Sequence, residues 1–225
     1  MRGSTLPSLR LTRLEFAALL SYTPREGGEA GERSRDLMRT LKYGRVAGSP
    51  PTPIWNTIAS FIAKNAAASE PVASFLSPNA VLVPVPKSAL WKEGSLWVPD
   101  QLASSMVQVG LGGRAARLLV RTEAIPKAAT SISSMRPTAL KHYETLAVQK
   151  DLMPTPEIVL IDDVVTTGAA LLGSANKLIE SYPDTPIRGF AAIRTMSDPS
   201  LFEKITHPVV GSITLRPNSL CTRRP

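Results

Sequence analysis

Asp162 and Asp163 are adjacent acids. They come directly after four branched aliphatics, Ile158-Val159-Leu160-Ile161, and directly before Val164-Val165-Thr166-Thr167-Gly168. Carboxylates accept hydrogen bonds from hydroxyls and bind hard cations; threonine hydroxyls and free backbone N–H groups donate to anions. Acids placed this close to a turn suited to a phosphate suggest a sugar's hydroxyls, or Mg²⁺, or both.

The flanking elements must hold these groups in place. Four aliphatics in a row read as a strand buried on both faces. After the turn, Leu171, Leu172, Ala175, Leu178, Ile179 and Tyr182 fall at helical spacing on one face. The order is therefore strand, acidic tip, turn, helix. In open α/β sheets, ligands bind beyond the carboxyl ends of the strands. A helix start offers unpaired N–H groups and a positive dipole end, which suits a phosphate. Successive strand residues point to opposite faces, so both acids reach one ligand only if the strand ends at them.

The stretch from Ile158 to Ala170 resembles the phosphoribosyl-diphosphate (PRPP) motif of type I phosphoribosyltransferases. All thirteen positions are compatible, with Ala170 standing where many members carry a Thr. The resemblance implies displacement of diphosphate from C1 of PRPP by a nucleobase or amine, through an oxocarbenium-like transition state. It implies that Asp162 and Asp163 are catalytic: they take the ribose hydroxyls and hold Mg²⁺, directly or through water. It places Thr166, Thr167, Gly168, Ala169 and Ala170 around the 5′-phosphate. Pro86-Lys87-Ser88 follows the first core strand, where the diphosphate loop belongs, so Lys87 and Ser88 are expected on the diphosphate. The loop 121–137 corresponds in position to the lid that closes over PRPP. Its cations are Arg121 and Arg136, expected at the diphosphate, and Lys127, a candidate catalytic proton donor.

Two details refine the resemblance. Hypoxanthine-type members carry an Asp at the position of Thr166, so this chain departs from that subgroup. Leu41-Lys42-Tyr43-Gly44-Arg45 is similar to a segment of competence-type (ComF-like) members, but the Cys-rich zinc element of many of them is absent. The alternative to an enzyme is a non-catalytic PRPP or nucleotide sensor, or a ComF-like DNA-related protein, on the same fold. No motif names the acceptor. The resemblance implies a hood built from N- and C-terminal segments as its site.

Composition sets outer bounds. The chain has 225 residues, 43% hydrophobic and 20% charged, enough for one α/β domain with a sizeable core. One cysteine, Cys221, rules out an internal disulfide framework and a Cys-rich zinc site. The net charge is +8 and the pI about 9.9, but the basic residues are scattered. A polyphosphate substrate accounts for some of that excess; nucleic acid and a homodimer stay open as partners. Apolar runs fall short of the roughly 18 residues needed for a membrane span, and the run Phe16 to Leu20 is too short for a signal-peptide core. The expected location is the cytoplasm.

The remaining pattern alternates strands and helices, which argues an open parallel sheet with helices on both faces. Residues 1–49 are expected as a helical N-terminal segment or hood, and 50–225 as the phosphoribosyltransferase-like domain. Thr12-Arg13-Leu14-Glu15 fits a capping box before a helix ending near Leu20. Further helices are expected after Ser34, over Ile54 to Ile62, over Val98 to Val109 and around 138–147. Strands are expected at Ala80 to Val85, Leu118 to Val120, Ile187 to Ile193 and Val209 to Leu215. His142 reads as a packed or surface histidine.

Overall fold

A computed structural model describes residues 9–25, 27–66, 68, 70–126, 136–217 and 219–225. Along the chain the elements are β1 (Arg13–Tyr22), α1 (Gly28–Lys42), β2 (Val46–Ala47), β3 (Thr52–Pro53), α2 (Ile54–Ala66), α3 (Glu70–Ala73), β4 (Ala80–Pro84), α4 (Val98–Gln108), β5 (Arg114–Ala115), β6 (Leu119–Arg121), α5 (Ala139–Glu144), β7 (Leu146–Val148), β8 (Glu157–Val165), α6 (Ala169–Leu178), β9 (Ile187–Thr195), β10 (Thr206–Leu215) and β11 (Cys221–Arg224).

The main sheet runs β11-β10-β1-β9-β8-β4-β5. From β1 to β5 every neighbouring pair is parallel. β10 lies antiparallel to β1, and β11 antiparallel to β10. The fold class is thus α/β, with a parallel core and an antiparallel edge that the alternating pattern did not reveal. The expected strand near 118–120 is present as β6, but it pairs with β7 in a separate two-stranded sheet.

The core explains the aliphatic run. Val159 and Ile161 face one side with Leu82 and Phe190, and Leu41, Ile58, Ile62, Leu102 and Met106 of α1, α2 and α4 cover them. Ile158 and Leu160 face the other side, under Ala139 of α5 and Leu171, Leu172, Ala175 and Leu178 of α6. All four aliphatics are fully buried. Burying such a side chain stabilises by roughly 1.5–3 kcal/mol, so this strand is held from both faces and its tip is fixed in space.

The helix expected from Thr12 to Leu20 is a correction: the segment is β1, an interior strand. Phe16, Ala17, Ala18 and Leu19 are all fully buried, which a one-faced helix does not achieve and a strand between two sheet neighbours does. Thr12 does not cap a helix; its carbonyl accepts a hydrogen bond from the Leu215 N–H (2.8 Å). Asn176 of α6 fastens the start of this strand. Its Oδ1 accepts from the Leu11 N–H (2.8 Å) and its Nδ2 donates to the Leu11 carbonyl (3.0 Å). Among the described residues no helix is long and apolar enough to cross a membrane.

Candidate functional site

The acidic tip sits at the carboxyl end of β8, near the middle of the sheet, between β9 and β4. The strand does not end at the acids as expected: it continues to Val165, which pairs with Arg194. The register passes from Asp162 opposite Ala191 to Val164 opposite Ile193 and skips Asp163. Each carboxylate curls back on the next residue. Asp162 Oδ1 accepts from the Asp163 N–H (3.0 Å), and Asp163 Oδ1 from the Val164 N–H (2.9 Å). Burial, and then the charge of Asp163, raise the Asp162 carboxyl well above the usual range. Two like charges held this way favour a hydroxyl-bearing or cationic ligand.

The turn that follows is shaped by Gly168. Its φ of 86° is left-handed, and it caps α6 without a side chain. Thr166 and Thr167 are exposed, Gly168 and Ala169 are buried, and Ala170 is half-buried. The first N–H groups of α6 have no intrahelical acceptor, and among the described residues those of Thr166, Thr167 and Gly168 donate to no protein acceptor. Asp162, Asp163 and residues 166–170 thus follow one another along the chain, from the end of β8 into the start of α6.

A group that sequence reasoning missed supports this turn. Arg223 of β11 donates from Nε to the Thr166 carbonyl (2.9 Å) and from Nη2 to the Thr195 carbonyl (2.5 Å), bridging the ends of β8 and β9. The Thr166 and Thr195 hydroxyls meet at 3.0 Å. Burial and then Arg194 hold the Arg223 guanidinium down to about 10. The signal in the sequence was the pair Arg223-Arg224, which reads as two more scattered cations until the topology folds β11 back.

The diphosphate candidates form a second group. Pro86-Lys87-Ser88 leaves the carboxyl end of β4, the strand beside β8. The Ile125 N–H donates to the Ser88 carbonyl (2.9 Å), so the base of the expected lid docks here. Lys87 Nζ points to Ser95 Oγ (2.6 Å) and the Leu96 carbonyl (3.3 Å). Arg121 departs from its expected role as a diphosphate cation. It is 7% exposed and donates to the Lys87 carbonyl (3.0 Å), the Pro86 carbonyl (3.2 Å) and Thr145 Oγ1 (2.6 Å). A guanidinium satisfied in this way brackets the loop from beneath. Arg136 is exposed just before α5. Lys127 lies outside the described residues.

His142 belongs to that bracket, 3.3 Å from Arg121 Nη2 through Nδ1. Burial, and next the Arg121 charge, pull its pKa down to about 3. An unfolded histidine titrates near 6.5, so the unfolded chain binds the extra proton first as pH falls. The stabilising contribution is complete above about pH 6.5 and is lost on descending toward pH 3. Urea denaturation should show stability falling by up to roughly 1.4 kcal/mol per pH unit in that window. His142→Gln should flatten this fall; an unchanged slope would assign it to other groups.

The donor set fits Mg²⁺. Two carboxylates stand side by side, and among the described residues no cluster of three or more His, Cys, Asp or Glu gathers into a complete cage. Mg²⁺ commonly takes one or two carboxylates and completes its shell with substrate oxygens and water.

No family model matches the chain, and neither does any curated protein. Among solved structures it is similar to a hypoxanthine phosphoribosyltransferase from Staphylococcus aureus, at 13% identity over 64% of this chain and 75% of that one, with a TM-score of 0.32. It is also similar to a Trypanosoma cruzi hypoxanthine phosphoribosyl transferase, at 11% identity over 81% of this chain and 89% of that one, again with a TM-score of 0.32. Likenesses this distant carry no argument about activity, and the fold class rests on the sheet itself.

Proposed function

We propose that this chain binds PRPP with Mg²⁺ at the carboxyl end of β8 and transfers its ribose 5-phosphate to a nucleobase or amine, releasing diphosphate. The observation that carries this reading is a pair of adjacent carboxylates, each accepting from the next residue's N–H, followed by a glycine turn whose N–H groups have no protein acceptor among the described residues. Asp162 and Asp163 accept hydrogen bonds from the ribose 2′- and 3′-hydroxyls and place negative charge near the ribosyl centre as it becomes positive. Thr166 to Ala170 hold the 5′-phosphate and so fix C1 relative to both neighbours. Lys87 and Ser88, one strand away at the end of β4, are on the side for diphosphate. Lys127 and Arg136 belong to the segment read as closing over the bound substrate, with Lys127 as proton donor. Mg²⁺, when bound, neutralises diphosphate charge and is held by Asp162 and Asp163.

The test is calorimetry with PRPP, with and without Mg²⁺, followed by diphosphate release across a panel of bases and amines. Saturable, Mg²⁺-dependent binding with turnover on one acceptor is the expected result. No saturable binding would sink the proposal. Binding without release against any acceptor would assign the chain to a sensing role.

A further inference from the structure

Four buried side-chain polar atoms have no hydrogen-bond partner among the described residues: Ser21 Oγ, Ser174 Oγ, Arg194 Nε and Arg223 Nη1. Three of the four gather at the carboxyl ends of β1 and β9. Ser21 lies opposite Arg194 in the β1–β9 register. Arg223 reaches the same end through the Thr195 carbonyl, and Arg194 is close enough to depress its guanidinium. Arg194 is only 3% exposed. Among the described residues neither arginine forms an ion pair. His207 of β10 is held below its usual range by burial first and then by Arg194, while Glu203 acts on His207 in the other direction.

A guanidinium buried without a carboxylate is costly. An anionic ligand would remove that cost, and the position says which part of a ligand it would be. β9 flanks β8 on the side away from β4, whose Lys87-Ser88 loop is the diphosphate side. Displacement at C1 aligns the incoming atom opposite the departing one. The incoming nucleophile therefore belongs over the ends of β9 and β1.

Resting on the PRPP reading above, we propose that the acceptor is itself an anion: a nitrogen heterocycle bearing a carboxylate, clamped by the unused N–H groups of Arg194 and Arg223. Its ring nitrogen supplies the electron pair of the new N–C1 bond. The C1–O bond breaks with its electron pair on diphosphate, and any N–H proton goes to water. Arg194 and Arg223 orient the ring and fix which nitrogen reaches C1. The same clamp discriminates against neutral bases, because a site built around buried charge is left unpaired by a ligand that lacks its counter-charge.

The first experiment needs no PRPP. Thermal unfolding of the full chain is followed with pyrimidine-4-carboxylate, the matching carboxamide, and inorganic phosphate. The carboxylate should raise Tm by several degrees and the carboxamide should not. Arg194→Lys should keep part of the shift and Arg194→Met should lose it. An equal shift from the carboxamide overturns the proposal. So does a phosphate shift as large as the carboxylate's that PRPP removes, since the arginines would then serve the sugar phosphate. In the second experiment, Arg194→Met should bind PRPP within about twofold of wild type, yet release diphosphate at least about 50-fold more slowly with whichever carboxylated acceptor the wild type uses. A wild type that turns over only neutral bases also overturns the proposal. A wild type that takes the carboxylate but not PRPP overturns the transfer reading and leaves the anion site standing.

Discussion

The double variant Asp162→Asn/Asp163→Asn should lose PRPP affinity by at least about 100-fold while keeping its fold. Each hydrogen bond to a charged group contributes about 1.5–3 kcal/mol. Losing the charge from two such acceptors therefore removes roughly 3 kcal/mol or more, and each 1.4 kcal/mol is about tenfold in affinity. Asparagine keeps the shape and one acceptor oxygen, so the contacts to the Asp163 and Val164 N–H groups survive. Stability should not fall. Burial and Asp163 already disfavour the charged form of Asp162, so Asp162→Asn removes a repulsion that the empty site must carry. Calorimetry and urea denaturation on the same samples separate the two effects. PRPP binding that stays within a few-fold of wild type would remove the carboxylates from the site. A collapse of stability would give them a structural role instead.

Gly168→Ala should destabilise the chain by roughly 2–5 kcal/mol. Two independent causes add. At φ 86° an L side chain is strained by roughly 1–2 kcal/mol. The new Cβ would also stand 2.5 Å from Ile213 Cγ1 and 2.6 Å from its Cδ1, where overpacking costs about 1–3 kcal/mol. The causes can be told apart. In an Ile213→Ala background the clash is gone and only the backbone strain remains, so the penalty should shrink to roughly 1–2 kcal/mol. An equal penalty in both backgrounds would show that β10 does not restrain the turn. Where Gly168→Ala still folds, the turn must shift, and PRPP affinity should fall with it.

What the sequence disclosed and what it hid differ in range. Residues 158–170 were legible because strand, tip, turn and helix are neighbours in the chain, and each step has a local physical cause. Helix α2, with Ile54, Ile58 and Ile62 buried, was legible from its spacing. β1 was not. Leu14, Phe16 and Leu20 satisfy more than one period, and the Thr12–Glu15 pattern tipped the reading toward helix; only two sheet partners far along the chain decide for strand. Arg121 shows the same limit at the site. A loop-edge cation looks solvated until the packing of β6 and α5 shuts it in with Thr145 and His142. Arg194 and Arg223 read only as scattered cations, because what marks them among the described residues is the lack of a carboxylate partner, and that is a property of the packed end of the sheet.

β1 has a consequence for how the chain reaches this structure. Both strands beside it come from beyond residue 186: Phe16 lies opposite Gly189 on one edge and Gly211 on the other. Chains whose central pairings span such distances fold slowly, because loop closure comes before the contacts that reward it. Until residues 187–215 are in place, Leu14 to Leu20 is an apolar strand with two open edges, the kind of segment that seeks a partner in another molecule. Refolding yield should therefore depend steeply on protein concentration, and the segment most exposed to misassembly is the one that ends in the interior of the sheet.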